Sequence, residues 1–285
     1  MFTLYRLDDA MNVDVRVPVL AVIGHKNSGK TTIAERIVST LIEKGYNVAT
    51  AKHISTKGFS MDRKGKDTWR YSTAGANPVI AVSDKEVTVK LKTEADVLSL
   101  DWMLKTSAEN GANVLIMEGF SFLVLKDKRV GKIICVRSTA EYDEYKKEVE
   151  GEVLAYCSFK LLGKPILKIE KDIEIIADKA VRFVSRRQKI LSILSELAGL
   201  NCRKCGRSSC FELAEAIYAG EASVEECVPL KLKSKLKTRI MIGGDEVPIQ
   251  PFVSEVVRRS VLGMISSLKG VNINGEEKIR IEVLK

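Results

Sequence analysis

Eight consecutive residues, Gly24-His25-Lys26-Asn27-Ser28-Gly29-Lys30-Thr31, follow the pattern G-x-x-x-x-G-K-[ST], whose chemistry is the cradling of nucleotide phosphates. Gly24 and Gly29 let backbone N–H groups point inward at the anion, and a helix starting there adds the positive end of its dipole. Lys30 is then placed to reach the β and γ phosphates, and the Thr31 hydroxyl to ligate Mg²⁺, with Thr32 following at the nucleotide. A glycine-rich turn that merely matches the pattern is the plainer alternative, and the flanks decide against it. Upstream, Pro18 to Ile23 is an apolar run of the kind a buried parallel strand needs. Downstream, Ile33, Ala34, Ile37, Val38, Leu41 and Ile42 share one helical face before Gly45 stops the helix.

A phosphate loop needs a second acidic centre to orient Mg²⁺ and the attacking water. Glu118 is the candidate. It closes the apolar run Val114-Leu115-Ile116-Met117, so its carboxylate is expected at the carboxyl edge of a sheet, where open α/β folds bind ligands; an ordinary strand-end acid is the alternative. Lys52 and His53 end another strand and are expected on the same edge. His53 is one of two histidines in the chain, and a structural histidine is the alternative reading. The segment from Gly58 to Arg70 carries Asp62 and Asp67, carboxylates suited to Mg²⁺ in a segment that approaches the γ-phosphate; charge pattern alone equally describes a solvated loop.

A second chemistry lies further along. Cys202, Cys205, Cys210 and Cys227, followed by Pro229, supply four thiolates within a short stretch, enough for Zn²⁺ or an iron–sulfur cluster. Structural zinc more often uses two tight pairs; here only Cys202 and Cys205 are tightly paired, which favours a [4Fe-4S] cluster over zinc and over free thiols. Cys135 and Cys157 sit in apolar stretches and read as packing residues.

Positioning these groups takes about 150 residues of alternating strand and helix. Strands are expected at 47–53, 79–83, 87–92, 113–118 and 132–136, and helices near 66–74, 95–109 and 140–149. Such alternation predicts a mainly parallel sheet covered on both faces by helices, a P-loop α/β fold. A long helix over 173–200 leads to the cysteines, beside which 211–220 reads as a short helix. The last fifty residues read as a strand near 239–242, a turn at 243–245, a helix near 253–268 and a strand at 278–284. The expected organisation is a nucleotide domain over 1–182, a small helical four-cysteine domain over 183–236, and a small α+β unit of unassigned role over 237–285. Residues 1–16 read as an extension.

Composition bounds the partners. The chain of 285 residues carries 46 Lys+Arg against 37 Asp+Glu, a net +9. Basic runs at 186–189 and 231–237 lack interleaved aromatic residues, so a solvated or anion-facing surface is favoured over nucleic acid. No apolar stretch approaches the roughly 20 residues that cross a bilayer, and the start lacks a signal-peptide pattern, so a cytoplasmic location is expected. Six cysteines in such a chain point to metal or redox chemistry rather than disulfides.

Taken together, the phosphate loop, Ala51-Lys52-His53, Asp62 to Asp67 with Gly65-Lys66-Asp67, Ala74-Gly75-Ala76 and Met117-Glu118-Gly119-Phe120 resemble, in order and spacing, the molybdopterin-guanine dinucleotide biosynthesis protein B family over about residues 17–182. The resemblance implies a dimeric, GTP-binding, weakly GTP-hydrolysing protein that assists the nucleotidyltransferase attaching GMP to molybdopterin, and that reaches cofactor-requiring apo-enzymes. Lys30 and Thr31 would serve the phosphates and Mg²⁺, Glu118 would be the second acid, and Asp62 with Asp67 would flank the nucleotide. Two positions depart from the family: Ile54-Ser55-Thr56-Lys57 where a second histidine is usual, and Ser121 where a lysine follows Glu-Gly-Phe. No Asn-Lys-x-Asp motif reads the base, so guanine preference rests on the resemblance and ATP stays open. The four-cysteine segment with its alanine-rich helix resembles the [4Fe-4S] domain of corrinoid iron–sulfur proteins. A nucleotide-driven metallocluster-assembly or electron-transfer protein is the alternative reading.

Overall fold

The computed structural model describes residues 17–56, 58–92, 99–233, 238–242, 245–247, 249–269 and 279. The chain divides into two compact units, residues 1–188 and 189–285.

In the first unit, β1 (Val19–Gly24) is followed by α1 (Lys30–Glu43), β2 (Val48–Lys52), α2 (Asp67–Thr73), β3 (Val79–Val82), β4 (Val87–Lys90), α3 (Leu100–Glu109) and β5 (Val114–Glu118). A single turn α4 (Ser121–Val124), β6 (Gly131–Cys135), α5 (Thr139–Glu148), β7 (Val153–Ser158), β8 (Leu167–Lys168) and α6 (Ile169–Glu196) complete the series. Six strands form one sheet in the order β2-β5-β1-β6-β7-β8, and every pairing in it is parallel, as the alternation predicts.

Alternate residues of β1 build two cores. Leu20 and Val22 face a layer containing Ile33, Ile37 and Leu41 of α1 and Ile176, Ala180 and Val184 of α6. Val19, Ala21 and Ile23 face the other, with Leu100, Met103 and Leu104 of α3. A sheet buried on both faces accounts for the nearly unbroken apolar runs of β1 and β5. Phe183 packs so closely over β6 that a Cβ at Gly131 would lie 2.6 Å from its ring, which makes glycine the residue that fits there.

Two strands depart from the expected layout. β3 and β4 join no parallel sheet but pair with each other, antiparallel, as a two-stranded ribbon. The reason is the connection: Ser83 to Glu86 forms a tight turn, with Ser83 N–H donating to the Glu86 carbonyl at 2.8 Å, and a parallel crossover needs a dozen or more residues. β7, which carries Cys157, is a further strand beyond those the sequence pattern predicts. The packing role read for Cys135 and Cys157 fits their complete burial; their sulfurs lie 3.5 Å apart, and that contact, with burial, holds the Cys135 thiol well above its ordinary pKa.

Lys132 lies fully buried in β6. Its ammonium donates to the carbonyls of Asp127 (2.7 Å), Val130 (2.8 Å) and Glu150 (2.8 Å), which uses all three donors and ties the chain on both sides of the strand; burial depresses its pKa.

The second unit holds α7 (Cys210–Tyr218), a 3-10 turn at Val224–Glu226 and α8 (Val228–Lys233). A two-stranded antiparallel pair follows, β9 (Ile240–Ile242) with β10 (Asp245–Val247), and then α9 (Pro251–Ser266). Its core gathers Ile190, Leu197, Cys210, Leu213, Ala214 and Cys227. The expected extension at 1–16 and strand at 278–284 fall outside the described residues, apart from residue 279. Among the described residues no helix is long and apolar enough to cross a membrane.

Candidate functional site: a phosphate loop with its acid, and a four-cysteine cavity

β1 lies between β5 and β6, so the chain leaves its carboxyl end at the point where successive connections diverge, the ligand-binding crevice of open parallel sheets. The loop from Gly24 to Gly29 occupies that point. Gly24 has φ +143°, and a Cβ there would stand 2.1 Å from the Cys135 carbonyl and 2.8 Å from Ser28 Oγ, so no other residue fits the close pass over β6. Gly29 has φ +100° and starts α1. The loop is held from within: the Ser28 hydroxyl and the Lys30 ammonium both donate to the His25 carbonyl, at 2.8 and 2.6 Å. Burial lowers the Lys30 pKa below the usual lysine value, opposed by Cys135 and Glu118 and reinforced by Lys52 and Arg137.

Glu118 emerges from the end of β5 directly beside this loop. Thr31 Oγ1 donates to Glu118 Oε1 at 2.8 Å, and Lys52 Nζ, from the end of β2, reaches Glu118 Oε2 at 2.8 Å and Thr31 Oγ1 at 3.4 Å. Parallel register explains the convergence, since Lys52 pairs with Glu118 and Glu118 with Val22. Three separate segments therefore meet as one hydroxyl, one carboxylate and two ammonium groups, with the Glu118 side chain only 14% exposed. The hydroxyl and carboxylate are hard oxygen donors, the set that suits Mg²⁺.

The other residues singled out from the sequence divide. His25, Lys26 and Asn27 form the exposed rim of the loop, with Asn27 left-handed at φ +61°; Thr32 is exposed on the first turn of α1. His53 lies next to Glu118, its N–H donating to the Glu118 carbonyl at 2.9 Å, but its ring leans on Phe120 and Phe122 at 5.4 and 5.3 Å. Asp62 is engaged elsewhere: it accepts from Lys90 of β4 at 2.9 Å and from Thr68 at 2.8 Å, and the Lys90 bond holds its carboxyl below the usual range. Asp67 is exposed at the start of α2, 3.6 Å from Arg70. These two carboxylates are fixed to the ribbon and to α2, not to the Thr31–Glu118 pair.

One participant escaped the sequence reading. Arg137 follows β6, and its charge acts on Lys30. It is fixed by Glu141, which accepts from its backbone N–H at 2.8 Å and its Nε at 2.7 Å. Ser138 and Glu141 have the spacing of a helix-capping pair, the one local signal that marked this corner.

In the second unit, Cys202, Cys205, Cys210 and Cys227 all line one small cavity, with Leu200, Leu213, Pro229 and Arg203 completing its wall. Cys210 starts α7, whose N-cap Ser209 accepts from the Glu212 N–H. Burial pushes the Cys210 thiol above its ordinary pKa, against which the Asn201 N–H acts. Four soft donors facing one space, with no carboxylate or imidazole in the wall, are the ligand chemistry of an iron–sulfur cluster or of zinc. Among the described residues no three His, Cys, Asp or Glu side chains form a group that would hold a single metal ion.

Comparison with known proteins follows the same division. Residues 19–158 match the family model for molybdopterin guanine dinucleotide synthesis protein B, and residues 197–229 match one described as "Putative Fe-S cluster". A Methanocaldococcus jannaschii protein named "Putative molybdopterin-guanine dinucleotide biosynthesis adapter protein" is 28% identical over 267 residues, 94% of this chain and 98% of its own length. The molybdopterin-guanine dinucleotide biosynthesis adapter protein of Haemophilus influenzae is 31% identical over 135 residues, 46% of this chain and 72% of its own. A crystal structure of Bacillus subtilis MobB aligns over 59% of this chain and 98% of its own, at 22% identity and a TM-score of 0.47.

Proposed function

Because the chain belongs to the molybdopterin guanine dinucleotide synthesis protein B family, we propose that it is a cytoplasmic, GTP-binding and weakly hydrolysing accessory protein in the biosynthesis of the molybdenum or tungsten guanine-dinucleotide cofactor. It would assist the nucleotidyltransferase that joins GMP to molybdopterin and present the product to cofactor-requiring apo-enzymes. The observation that carries this reading is the 2.8 Å bond from Thr31 to Glu118 beside the Gly24–Lys30 loop. It brings a phosphate cradle and a second acid together without a further device.

In this reading Lys30 exchanges the His25 carbonyl for phosphate oxygens. Bound Mg²⁺ would be held by Thr31 and Glu118 and would neutralise phosphate charge. Lys52 neutralises the Glu118 carboxylate and orients it toward Thr31. His53, beside Glu118 in the chain pairing, leans its ring on Phe120 and Phe122. Guanine preference comes from the family.

The ribbon supports the dimer. Ile80 and Val82 on β3 stand opposite Val89 and Val87 on β4, and all four are 51–74% exposed, an apolar face of the kind that marks an interface between subunits. Ile80→Glu with Val82→Glu is expected to convert a dimer to a monomer by light scattering without loss of nucleotide binding; an unchanged mass would place the interface elsewhere.

The functional test is reconstitution. Added protein with GTP is expected to raise guanine-dinucleotide loading of a molybdenum apo-enzyme supplied with the nucleotidyltransferase. The four-cysteine cavity favours one second reading, a metallocluster-assembly or electron-transfer protein in which hydrolysis follows cluster reduction. Redox-dependent hydrolysis with no gain in loading would select that reading instead.

A further inference from the structure

The third cysteine of the cavity is held by one residue through two reciprocal bonds. Asn201 Oδ1 accepts from the Cys210 backbone N–H at 2.7 Å, while the Asn201 backbone N–H donates to Cys210 Sγ at 3.3 Å. The backbone that makes this possible is left-handed at Asn201, φ +44°. Asparagine tolerates that region better than most residues, and its short amide is the length needed to close the ring onto Cys210. Arg203, which lines the cavity, is left-handed too, at φ +58°.

We propose that Asn201 is a positioning residue that fixes Cys210 and, through its backbone N–H, sets the reduction potential of the cluster bound by Cys202, Cys205, Cys210 and Cys227. The proposal rests on the cluster reading. Reduction adds negative charge that spreads onto the ligand sulfurs. A hydrogen bond to one of those sulfurs stabilises the reduced form more than the oxidised form and raises the potential, hydrogen bonds to sulfur being one of the protein's levers on such clusters. The side chain does not donate to sulfur itself; it holds the peptide N–H where that group can.

The test begins with the full-length wild type, purified anaerobically, its iron counted and its cluster potential measured by an EPR-monitored titration. Asn201→Ala loses the amide clamp and the tolerance for the left-handed backbone, so its potential is expected to fall below wild type while about four irons per chain are retained, the number of a cubane. Asn201→Gly keeps the backbone accessible but loses the clamp, and a smaller fall is expected; it also provides the measurement if the alanine variant does not fold. Uniform ¹⁵N labelling, which keeps the label on the residue-201 backbone nitrogen in every variant, is expected to give a nitrogen coupling to the reduced wild-type cluster that both variants weaken. A wild-type potential in iron-replete variants would overturn the proposal. Folded variants that hold no iron would also overturn it, making Asn201 a requirement for assembly instead. Wild-type protein carrying zinc and no iron would remove the cluster reading, a failure distinct from either.

Discussion

Replacing Lys30 with alanine is expected to weaken Mg-GTP binding by at least ~100-fold, about 2.7 kcal/mol by the relation between affinity and free energy, and to abolish hydrolysis. The size follows from the site. Lys30 is the cation that the loop folds around, held at 2.6 Å from the His25 carbonyl, and only it is carried on α1 directly against the phosphate cradle. Lys52 is committed to Glu118 at 2.8 Å and cannot replace it. A charge-assisted hydrogen bond contributes about 1.5–3 kcal/mol, and the lysine would make more than one. Glu118→Gln is expected to separate the roles: nucleotide binding survives in part, while the Mg²⁺ requirement and the hydrolysis are lost, since the amide still accepts from Thr31 but carries no charge for the cation. Titration calorimetry of both variants checks this. Unchanged GTP affinity in the alanine variant would remove the loop from the mechanism.

The second large effect concerns the cavity. Anaerobic wild-type protein is expected to be brown, with about four irons per chain, and Cys205→Ser to be colourless or nearly so. Cys205 is the informative choice because it is partly exposed, whereas Cys210 and Cys227 belong to the packed core of their unit, where substitution would confound ligation with folding. Cys157→Ala is the control: that thiol is buried against Cys135 in the first unit, and its removal is expected to leave the iron content unchanged. Iron and colour retained in Cys205→Ser would remove that cysteine from the ligand set, and wild-type protein with about one zinc would replace the cluster with a structural metal site.

Much of the candidate site around the Gly24–Thr31 loop was legible because its information is local. The loop pattern, the apolar run before it and the helical face after it all lie within 18–45. Glu118 and Lys52 could be placed on one edge because each closes a strand of a parallel sheet, and the register then brings them together. What stayed hidden depends on partners remote in sequence. Short valine-rich segments such as Val79 to Val82 and Val87 to Lys90 look alike whether a strand pairs within a large sheet or with its neighbour, so the ribbon could not be told from two sheet strands, and the ionic anchor from Lys90 to Asp62 could not be foreseen. A lysine in a strand reads as outward-facing, yet Lys132 is buried because three backbone carbonyls, invisible to any side-chain pattern, surround its ammonium. Asn201 is hidden for the same reason: the group it positions is a peptide N–H. The four-cysteine cavity was legible in composition and spacing, since thiolates so close along a chain have few other uses.

What the Gly24–Thr31 loop holds decides the proposed function. Equilibrium binding of Mg-GTP and Mg-ATP to the anaerobically purified wild-type chain is the most direct measurement. The prediction is saturable binding of about one GTP per chain, competed by GDP and at least ~10-fold tighter than ATP, a difference of about 1.4 kcal/mol. No binding of either nucleotide, or equal affinity for both, would contradict it.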